Sequence, residues 1–300
     1  MLNRYDAFFQ ALKEIPFEKG LMMQAHTSFR IGGPANALFP RNANELLHIM
    51  QAAAAHEIEP VILGNCTNIL VSDKGIEEPV VFIANMLSGI EHQDTVFTVQ
   101  AGTLLSTLSK ETLRMGYMGL EWANGIPGAV GGGIAMNAGA YGGEIKDYLT
   151  EVTYIENGEL HTVCPQSGDL SYRRSVFTAP SRVTVSAKFT LQPDDGYAAE
   201  RMRDYMQRRL AKQPLQYPSA GSVFKRPQGF FAGSLIEQAG LKGAQIGGAR
   251  VSELHAGFII NTGGATCADV LALIAHIQER VLAHSGVMLQ PELKIIGKGV

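Results

Sequence analysis

The sequence predicts a protein of mixed α and β structure, in which amphipathic helices alternate with short apolar strands over 300 residues. Two observations predict this class: apolar residues recur at helical spacing in some segments, and short apolar runs bounded by turn residues lie between those segments. The first helix is predicted at residues 42–56, because Leu46, Leu47, Met50 and Ala54 form one stripe. The length allows two or three domains.

The remaining elements follow from the same two patterns. Strands are predicted at 60–63, 69–71, 80–84, 96–101, 151–155, 182–191 and 292–297. Helices are predicted at 104–115, 197–212, 235–239 and 268–285. The composition changes after the turn-rich segment 192–196, which indicates a domain boundary near residue 195, and a second boundary is predicted near Pro79.

Composition excludes several classes of function. The net charge of −3 is not that of a nucleic-acid-binding surface. The three widely spaced cysteines are typical of a reducing compartment rather than of a disulfide framework. His161 and Cys164 are the one close His/Cys pair, so no metal site is expected. Without a signal peptide or a long apolar run, we expect a cytoplasmic protein that does not insert into membranes.

The segment from Gly125 to Gly143 contains eight glycines in nineteen residues, and no Lys or Arg occurs between Arg114 and Lys146. Glycine lets backbone N–H groups approach an anion closely, which favours a loop that binds phosphate or pyrophosphate. The alternative is a small-residue helix over 129–140, which would lose about 1 kcal/mol per glycine relative to alanine. We therefore favour the loop, although neither the P-loop nor the dinucleotide fingerprint is present.

Two further turns carry glycine and polar side chains. The segment Gly64–Asn68 lies between two apolar strands, with Gly64 as the expected pivot and Thr67 and Asn68 as donors. Together with the glycine-rich segment it could bind the two phosphates of one dinucleotide. The turn at 26–35 contains Arg30 and could form a wall of a cofactor site, or each turn could simply connect two elements.

Three polar side chains are candidates for catalysis. Ser222 precedes Lys225 by three residues, and the lysine could polarise its hydroxyl, although an isolated serine of this kind is more often part of a turn. Arg173, next to Tyr172, could pair with a carboxylate through two hydrogen bonds, or belong to a solvated basic turn. Glu292 lies in a strand that is apolar enough to be buried, where acids are rare unless paired or functional.

Six motifs in one order resemble those of the bacterial UDP-N-acetylenolpyruvoylglucosamine reductases, in the compact, type II-like branch. These motifs are residues 26–35, 64–73, 119–144, 172–177, 219–227 and 289–297. The resemblance implies an FAD-binding fold of the vanillyl-alcohol-oxidase type in two subdomains, at 1–79 and 80–195, followed by an α/β substrate-binding domain at 196–288. It also implies that residues 289–300 pack back on the first subdomain.

The resemblance implies an NADPH-dependent, FAD-containing UDP-N-acetylmuramate dehydrogenase of peptidoglycan precursor synthesis. Its substrate would be UDP-N-acetylglucosamine enolpyruvate, its FAD would be bound non-covalently, and NADPH would donate the hydride. The residues that would bind FAD are Arg30, Gly64, Asn65, Thr67, Asn68, Gly125, Pro127, Gly128, Gly132, Asn137, Gly139 and Tyr141. Those that would bind the substrate are Tyr172, Lys212 and Lys225.

The same resemblance implies a role for each catalytic candidate. Arg173 would stabilise the charge that develops on the enolpyruvyl carboxylate. Ser222 would donate the proton. Glu292, protonated because burial raises its pKa, would add a hydrogen bond.

The chain departs from the family pattern at three positions. Cys66 stands where glycine is common, Arg226 where asparagine is common, and Gln290 where glutamate is frequent. Two other functions remain open from the residues: a flavin oxidase that acts on a small alcohol or aldehyde, and a non-enzymatic module that senses FAD or another nucleotide.

Overall fold

A computed structural model describes residues 4–179 and 182–300. The helix at residues 43–55 illustrates how local sequence sets the elements. Asn42 caps it, since the side chain of Asn42 accepts a hydrogen bond from the backbone N–H of Glu45 at 3.0 Å. Of the predicted stripe, Leu46 and Met50 are buried, Leu47 is half-buried and Ala54 is exposed, while Ile49 and Ala53 complete the buried face. The helix predicted from this stripe is therefore confirmed.

The helices and strands follow in chain order. The α-helices are α1 Arg4–Ala11, α2 Ala43–Ala55, α3 Leu105–Arg114, α4 Val130–Ala135, α5 Ala198–Lys212, α6 Ala232–Gln238 and α7 Cys267–Ser285. The strands are β1 Phe17–Met22, β2 Pro34–Leu38, β3 Val61–Leu63, β4 Ile69–Val71, β5 Val80–Phe82, β6 Ile90–Gln93, β7 Val96–Gln100, β8 Tyr117–Met118, β9 Gly139–Ala140, β10 Gly143–Glu144, β11 Leu149–Glu156, β12 Glu159–Val163, β13 Leu170–Ser171, β14 Arg174–Ser175, β15 Arg182–Thr190, β16 Gln192–Pro193, β17 Gln245–Ile246, β18 Ala249–Val251, β19 Ile259–Asn261 and β20 Lys294–Ile296.

The predicted helices and strands are all present, with ends that differ by a few residues. Helix α1, the strands β1, β2, β6 and β12, and most of the very short strands were not predicted. Strands of two residues carry no periodicity that could be recognised in a sequence. The final strand is shorter than predicted, because it begins at Lys294 rather than at Glu292.

The chain folds into two compact units, each assembled from separate segments. Unit 1 comprises residues 1–19, 36–65 and 78–207, and unit 2 comprises residues 20–35, 66–77 and 208–300. The division predicted at residues 79 and 195 is a different one and stays a prediction.

Unit 1 contains two larger sheets, each associated with a hydrophobic core, and the two-stranded pairs β9-β10, β13-β14 and β8-β16. In the first sheet, whose strand order is β1-β2-β5-β3, β5 pairs in parallel with both β2 and β3. Helix α2 supplies much of the core associated with that sheet. The second sheet is antiparallel with the order β12-β11-β15-β7-β6, and α3 and α4 contribute to its core. Most residues of the central strand β15 are buried, and buried and half-buried residues alternate toward its end.

Unit 2 is built around α6 and α7, which pack with the antiparallel strands β17-β18-β19 in one core. Thr266 and Asp269 form a reciprocal capping box at the start of α7, and Gly286 ends the helix in the left-handed conformation. Strand β20 pairs in parallel with β4, with Lys294 opposite Ile69.

In the part of the chain that the structure describes, none of the helices has the length and apolar character that crossing a membrane requires.

Candidate functional site

The glycine-rich segment is partly helical, which corrects the prediction of a loop. Val130–Ala135 forms α4, as the alternative interpretation proposed, although over a shorter range. Tertiary packing explains why glycine is used here. A Cβ on Gly131 would lie 3.1 Å from Cβ of Ala101, and one on Gly133 would lie 3.0 Å from Cδ1 of Leu105. The glycines therefore allow the helix to pack closely against its neighbours, although they lower its intrinsic helix propensity.

Gly132 lies on the opposite side of the same helix. It is exposed, and a Cβ at this position would meet no atom within 4 Å. Its neighbours in sequence are buried. One face of α4 thus presents bare backbone to the outside, which is the property expected of a surface that a cofactor approaches closely.

The two predicted phosphate loops meet at Asn65 and Gly64. The side-chain Nδ2 of Asn65 donates a hydrogen bond to the carbonyl oxygen of Pro127 at 2.5 Å. A Cβ on Gly64 would lie 3.3 Å from that of Ala129, so a side chain here would crowd α4. The residue that turns the chain is not Gly64, as predicted, but Cys66, whose φ of 50° lies in the left-handed region. This conformation explains why glycine suits the position.

These loops fit a cofactor that backbone and amide groups bind. Oδ1 of Asn124, directly before the glycine-rich segment, is buried and has no hydrogen-bond partner among the described residues. A buried acceptor without a partner is costly, and a donor on a ligand would satisfy it. The exposed backbone at Gly132 and the contact between Asn65 and Pro127 complete an uncharged surface in unit 1.

A tight hairpin follows α4. Strands β9 and β10 are joined by Tyr141 and Gly142, whose φ angles are 53° and 91°. Positive φ at both central residues is the geometry of a type I′ turn, and tyrosine is an unusual residue there. The hairpin also packs against the single tryptophan of the chain, because a Cβ on Gly143 would overlap the ring of Trp122.

Asn137 organises the base of this hairpin. Its Nδ2 donates to Oε2 of Glu144 at 2.8 Å and to the carbonyl oxygen of Ser171 at 3.1 Å, and its Oδ1 accepts from the N–H of Lys146. The hydrogen bond from the Lys146 side chain is the main cause that lowers the pKa of Glu144; burial opposes it, and Asn137 and Arg173 make smaller contributions that also lower the pKa. Glu144 is thus ionised at neutral pH.

Arg173 lies at the tip of the hairpin formed by β13 and β14, with a φ of 55°. Its guanidinium donates to the carbonyl oxygens of Gly139 at 3.2 Å and of Asn137 at 3.5 Å. The same guanidinium carbon lies 5.2 Å from the ring centroid of Tyr172. The backbone carbonyls of the glycine-rich segment thus orient this cation in unit 1. Its pairing with a substrate carboxylate stays a prediction.

In unit 2, backbone pairing brings Ser222 and Glu292 together. The N–H of Glu292 donates to the carbonyl oxygen of Val223 at 2.7 Å, and the N–H of Lys225 donates to that of Gln290 at 2.8 Å. These bonds place two distant segments of the chain side by side. Oγ of Ser222 has a long contact of 3.4 Å with the carbonyl oxygen of Phe224.

His255 is the titratable residue that packs beside this serine. A Cβ on Gly257 would lie 3.0 Å from Cε1 of His255 and 3.4 Å from Oγ of Ser222, so both side chains converge on that glycine. The N–H of Gly257 donates to Nδ1 of His255 at 3.1 Å, which requires Nδ1 to be unprotonated. Burial is the main cause that lowers the pKa of His255. The imidazole is therefore neutral at pH 7.

The structure corrects the expected burial of Glu292. The residue is half-buried, it precedes β20, and two of the three residues of that strand are exposed.

Other predicted site residues lie in unit 2. Arg30 has a φ of 55° and lines a cavity of about 590 Å³ together with Asp73 and Asn261. Thr67 and Asn68 are half-buried, and Lys212, the last residue of α5, is exposed.

Three residues that the structure associates with these segments were not predicted from the sequence: Asn124, His255 and Tyr205. Asn124 precedes Gly125 directly, and a search for polar residues next to the glycine-rich segment would have found it. The other two carried no local signal.

Comparison with known proteins identifies two families along the chain. The family described as UDP-N-acetylenolpyruvoylglucosamine reductase, C-terminal domain, matches residues 213–296. The family described as FAD binding domain matches residues 34–163. The second match includes residues 64–68 and the glycine-rich segment 125–143.

Similar proteins cover nearly the whole chain. The UDP-N-acetylenolpyruvoylglucosamine reductase of Agathobacter rectalis is 45% identical over 92% of this chain and 92% of its own length. That of Caldanaerobacter subterraneus is 45% identical over 98% of both chains. The crystal structure of the Thermus caldophilus enzyme is 33% identical, covers 94% of this chain and 99% of its own, and has a TM-score of 0.80.

Proposed function

The chain belongs to the UDP-N-acetylenolpyruvoylglucosamine reductase family, and we propose from this premise how its residues carry out the flavin-dependent reduction of UDP-N-acetylglucosamine enolpyruvate. The protein is an FAD-containing oxidoreductase of peptidoglycan precursor synthesis, with the FAD-binding fold of the vanillyl-alcohol-oxidase type and a C-terminal α/β domain. The observation that carries the proposal is the pairing of the Ser222 segment with the Glu292 segment.

FAD is held by the uncharged loops of unit 1. The supporting features are the exposed backbone at Gly132, the unpartnered Oδ1 of Asn124 and the bond from Asn65 to Pro127. When bound, FAD supplies two-electron transfer between NADPH and the enolpyruvyl double bond. No cysteine or histidine lies between Gly125 and Gly143, which supports non-covalent attachment.

Saturating a carbon–carbon double bond also requires a proton, and Ser222 is the proposed donor. A serine hydroxyl is a weak acid, but it suffices when the acceptor is a strongly basic carbon held against it. The contact of Oγ with the Phe224 carbonyl is long, so the hydroxyl can turn toward a substrate at little cost. Glu292, whose backbone N–H is bonded to the carbonyl oxygen of Val223, contributes a hydrogen bond to the substrate.

Arg173 stabilises the negative charge that develops on the enolpyruvyl carboxylate. Its two bonds to the carbonyl oxygens of Asn137 and Gly139 orient the guanidinium before substrate arrives. A cation that is oriented in advance stabilises developing charge without reorganising during the reaction. Tyr172, Lys212 and Lys225 are proposed substrate contacts, since each is at least partly exposed on the predicted motifs.

We further propose that FAD binding is divided between residues 1–79 and 80–195 and substrate binding lies at 196–288, in keeping with the two family matches. A cytoplasmic location is supported by Cys66, Cys164 and Cys267, which form no disulfide in the described residues, since disulfides are rare in reducing compartments.

The decisive experiment follows the flavin spectrum of the purified protein. Acid precipitation should release all flavin into the supernatant. NADPH should be consumed in stoichiometric proportion to added UDP-N-acetylglucosamine enolpyruvate and not to oxygen. Turnover with oxygen and a small alcohol would instead establish a flavin oxidase. Flavin binding without turnover of either the enolpyruvyl substrate or a small alcohol would establish a sensor module. Flavin retained in the pellet would refute non-covalent attachment.

A further inference from the structure

Two tyrosine rings stack in unit 1 beside the glycine-rich segment. The ring centroids of Tyr141 and Tyr205 are 4.6 Å apart, and the planes are 3° from parallel. Tyr141 forms part of the tight turn between β9 and β10, whereas Tyr205 belongs to α5, more than sixty residues later. Tyr141 remains 39% exposed, so the stack covers only part of its ring.

The stack offsets an unfavourable backbone conformation. Tyr141 has a φ of 53°, a region that glycine and asparagine tolerate and bulky residues avoid. Residues remain in such conformations only where the surrounding structure holds them. Aromatic stacking on Tyr205 is the specific contact that the structure provides for this side chain.

The helix that carries Tyr205 is well anchored within unit 1. The guanidinium of Arg201 bonds Glu121 and Asp195, each at 2.7 Å, and the Glu121 side chain is only 8% exposed. Met202, on the following position of α5, is buried. Tyr205 therefore presents its ring from a fixed support.

The hairpin on the other side of the stack reaches two groups of the site. Its Gly139 carbonyl accepts the hydrogen bond from Arg173, and its Gly143 packs against Trp122. A change in the turn at Tyr141 is thus transmitted to the carbonyl that orients Arg173.

We propose that Tyr205 is a positioning residue, which holds Tyr141 and thereby sets the hairpin at 139–144 in the conformation that binds FAD. The inference rests on the proposed function, because it assumes that this hairpin contacts the cofactor. Tyr205 acts only through Tyr141. This role requires the aromatic ring of Tyr205 and does not require its hydroxyl.

The test compares FAD affinity in the full-length protein by quenching of Trp122 fluorescence during FAD titration. Tyr205→Leu removes the stack and should weaken FAD binding by about 2- to 12-fold, the affinity equivalent of about 0.5–1.5 kcal/mol for an aromatic pair. Tyr205→Phe keeps the stack and should bind FAD like the wild type. Tyr197→Leu is the matched control, since it removes a tyrosine that is 64% exposed just before the same helix.

A double-mutant cycle separates positioning from a general structural effect. In a Tyr141→Leu background, Tyr205→Leu should weaken FAD binding no further, because its partner is already absent. Additive effects, an unchanged affinity of Tyr205→Leu, or equal losses in the Leu and Phe variants would each overturn the inference while leaving the proposed function intact. A wild-type protein that binds no FAD would overturn the proposed function itself.

Discussion

Glu292 is tied to Val223, the residue after Ser222, by a backbone hydrogen bond of 2.7 Å. The bond fixes the position of Glu292 relative to the serine without using either side chain. Substitutions at Ser222 and Glu292 should therefore alter chemistry more than structure.

Ser222→Ala should leave the reduction of FAD by NADPH nearly unchanged. The reoxidation by the enolpyruvyl substrate should slow by about 10²–10⁴, which is the usual contribution of a positioned general acid. Stopped-flow absorbance of the flavin measures the two half-reactions separately. Ser222→Cys should recover part of the loss, since a thiol is a stronger acid, and Glu292→Gln tests whether a neutral hydrogen-bonding group suffices. A slower NADPH half-reaction in Ser222→Ala, or no effect on either, would make the assignment wrong.

Gly132→Ala should separate stability from cofactor binding. The new Cβ enters open space on α4, so helix propensity should raise the stability of the FAD-free protein by about 0.5–1 kcal/mol. The same methyl group should weaken FAD binding at least about tenfold, because it covers backbone that the cofactor approaches. Thermal unfolding and FAD titration measure the two effects.

Gly131→Ala is the matched variant on the buried side of the same helix. Its Cβ would lie 3.1 Å from Cβ of Ala101, and it should destabilise the protein by about 1–3 kcal/mol through overpacking. If Gly132→Ala bound FAD normally, α4 would not contact the cofactor.

Only one of the three thiols should react in the native protein. Burial raises the pKa of Cys66 to about 12, and burial followed by the charge of Asp73 raises that of Cys267 to about 11. Because the thiolate is the nucleophile, both should resist alkylation at pH 8, whereas Cys164 is exposed. Mass spectrometry should find one label per native chain and three after denaturation. Cys164→Ser should reduce the native value to zero, and a labelled Cys66 would contradict the burial described.

Acid should destabilise unit 2 through His255. Its folded-state pKa is lowered mainly by burial, with smaller contributions from Lys242 and Lys212, while a backbone hydrogen bond and Glu237 oppose the shift. Between that lowered value and the ordinary value of about 6.5 the unfolded chain binds more protons, so stability falls as the pH drops through this window. Protonation would also remove the hydrogen bond that Nδ1 accepts from Gly257.

The free energy of unfolding should therefore fall more between pH 7.5 and 5.5 in the wild type than in His255→Gln. The matched variant His284→Gln, at an exposed position of α7, should retain the wild-type dependence. Parallel pH profiles in wild type and His255→Gln would show that protonation of this imidazole does not change the free energy of unfolding.

Elements with a strong local pattern could be predicted from the sequence. The stripe of α2 and its Asn42 cap are properties of neighbouring residues, and so are the apolar runs of β3 and β4. Helix α4 could not be predicted in the same way, because contacts with Ala101 and Leu105 stabilise a glycine-rich helix that propensity alone disfavours.

The candidate site also contains residues that the sequence could predict and residues that it could not. Ser222, Arg173 and Glu292 were found because they lie in recognisable motifs, and their individual roles stay predictions. The left-handed conformations of Cys66 and Tyr141 have no signature in the residues themselves. The ring of Tyr205 acquires a partner only when α5 folds next to the hairpin, so its contact is a property of the tertiary structure alone.

The parallel pairing of β4 with β20 has a consequence for biosynthesis. Strand β4 leaves the ribosome early, but Ile69 must wait for Lys294 to be translated, which takes roughly 10–45 s at ordinary elongation rates. Until then the edge of β4 that β20 will occupy is open to other extended chains. All segments of unit 1 are translated by residue 207, so it can fold while the ribosome is still supplying unit 2. The second unit thus completes this strand pairing only after residue 296 has been translated, and the nascent chain is most prone to aggregation during that interval.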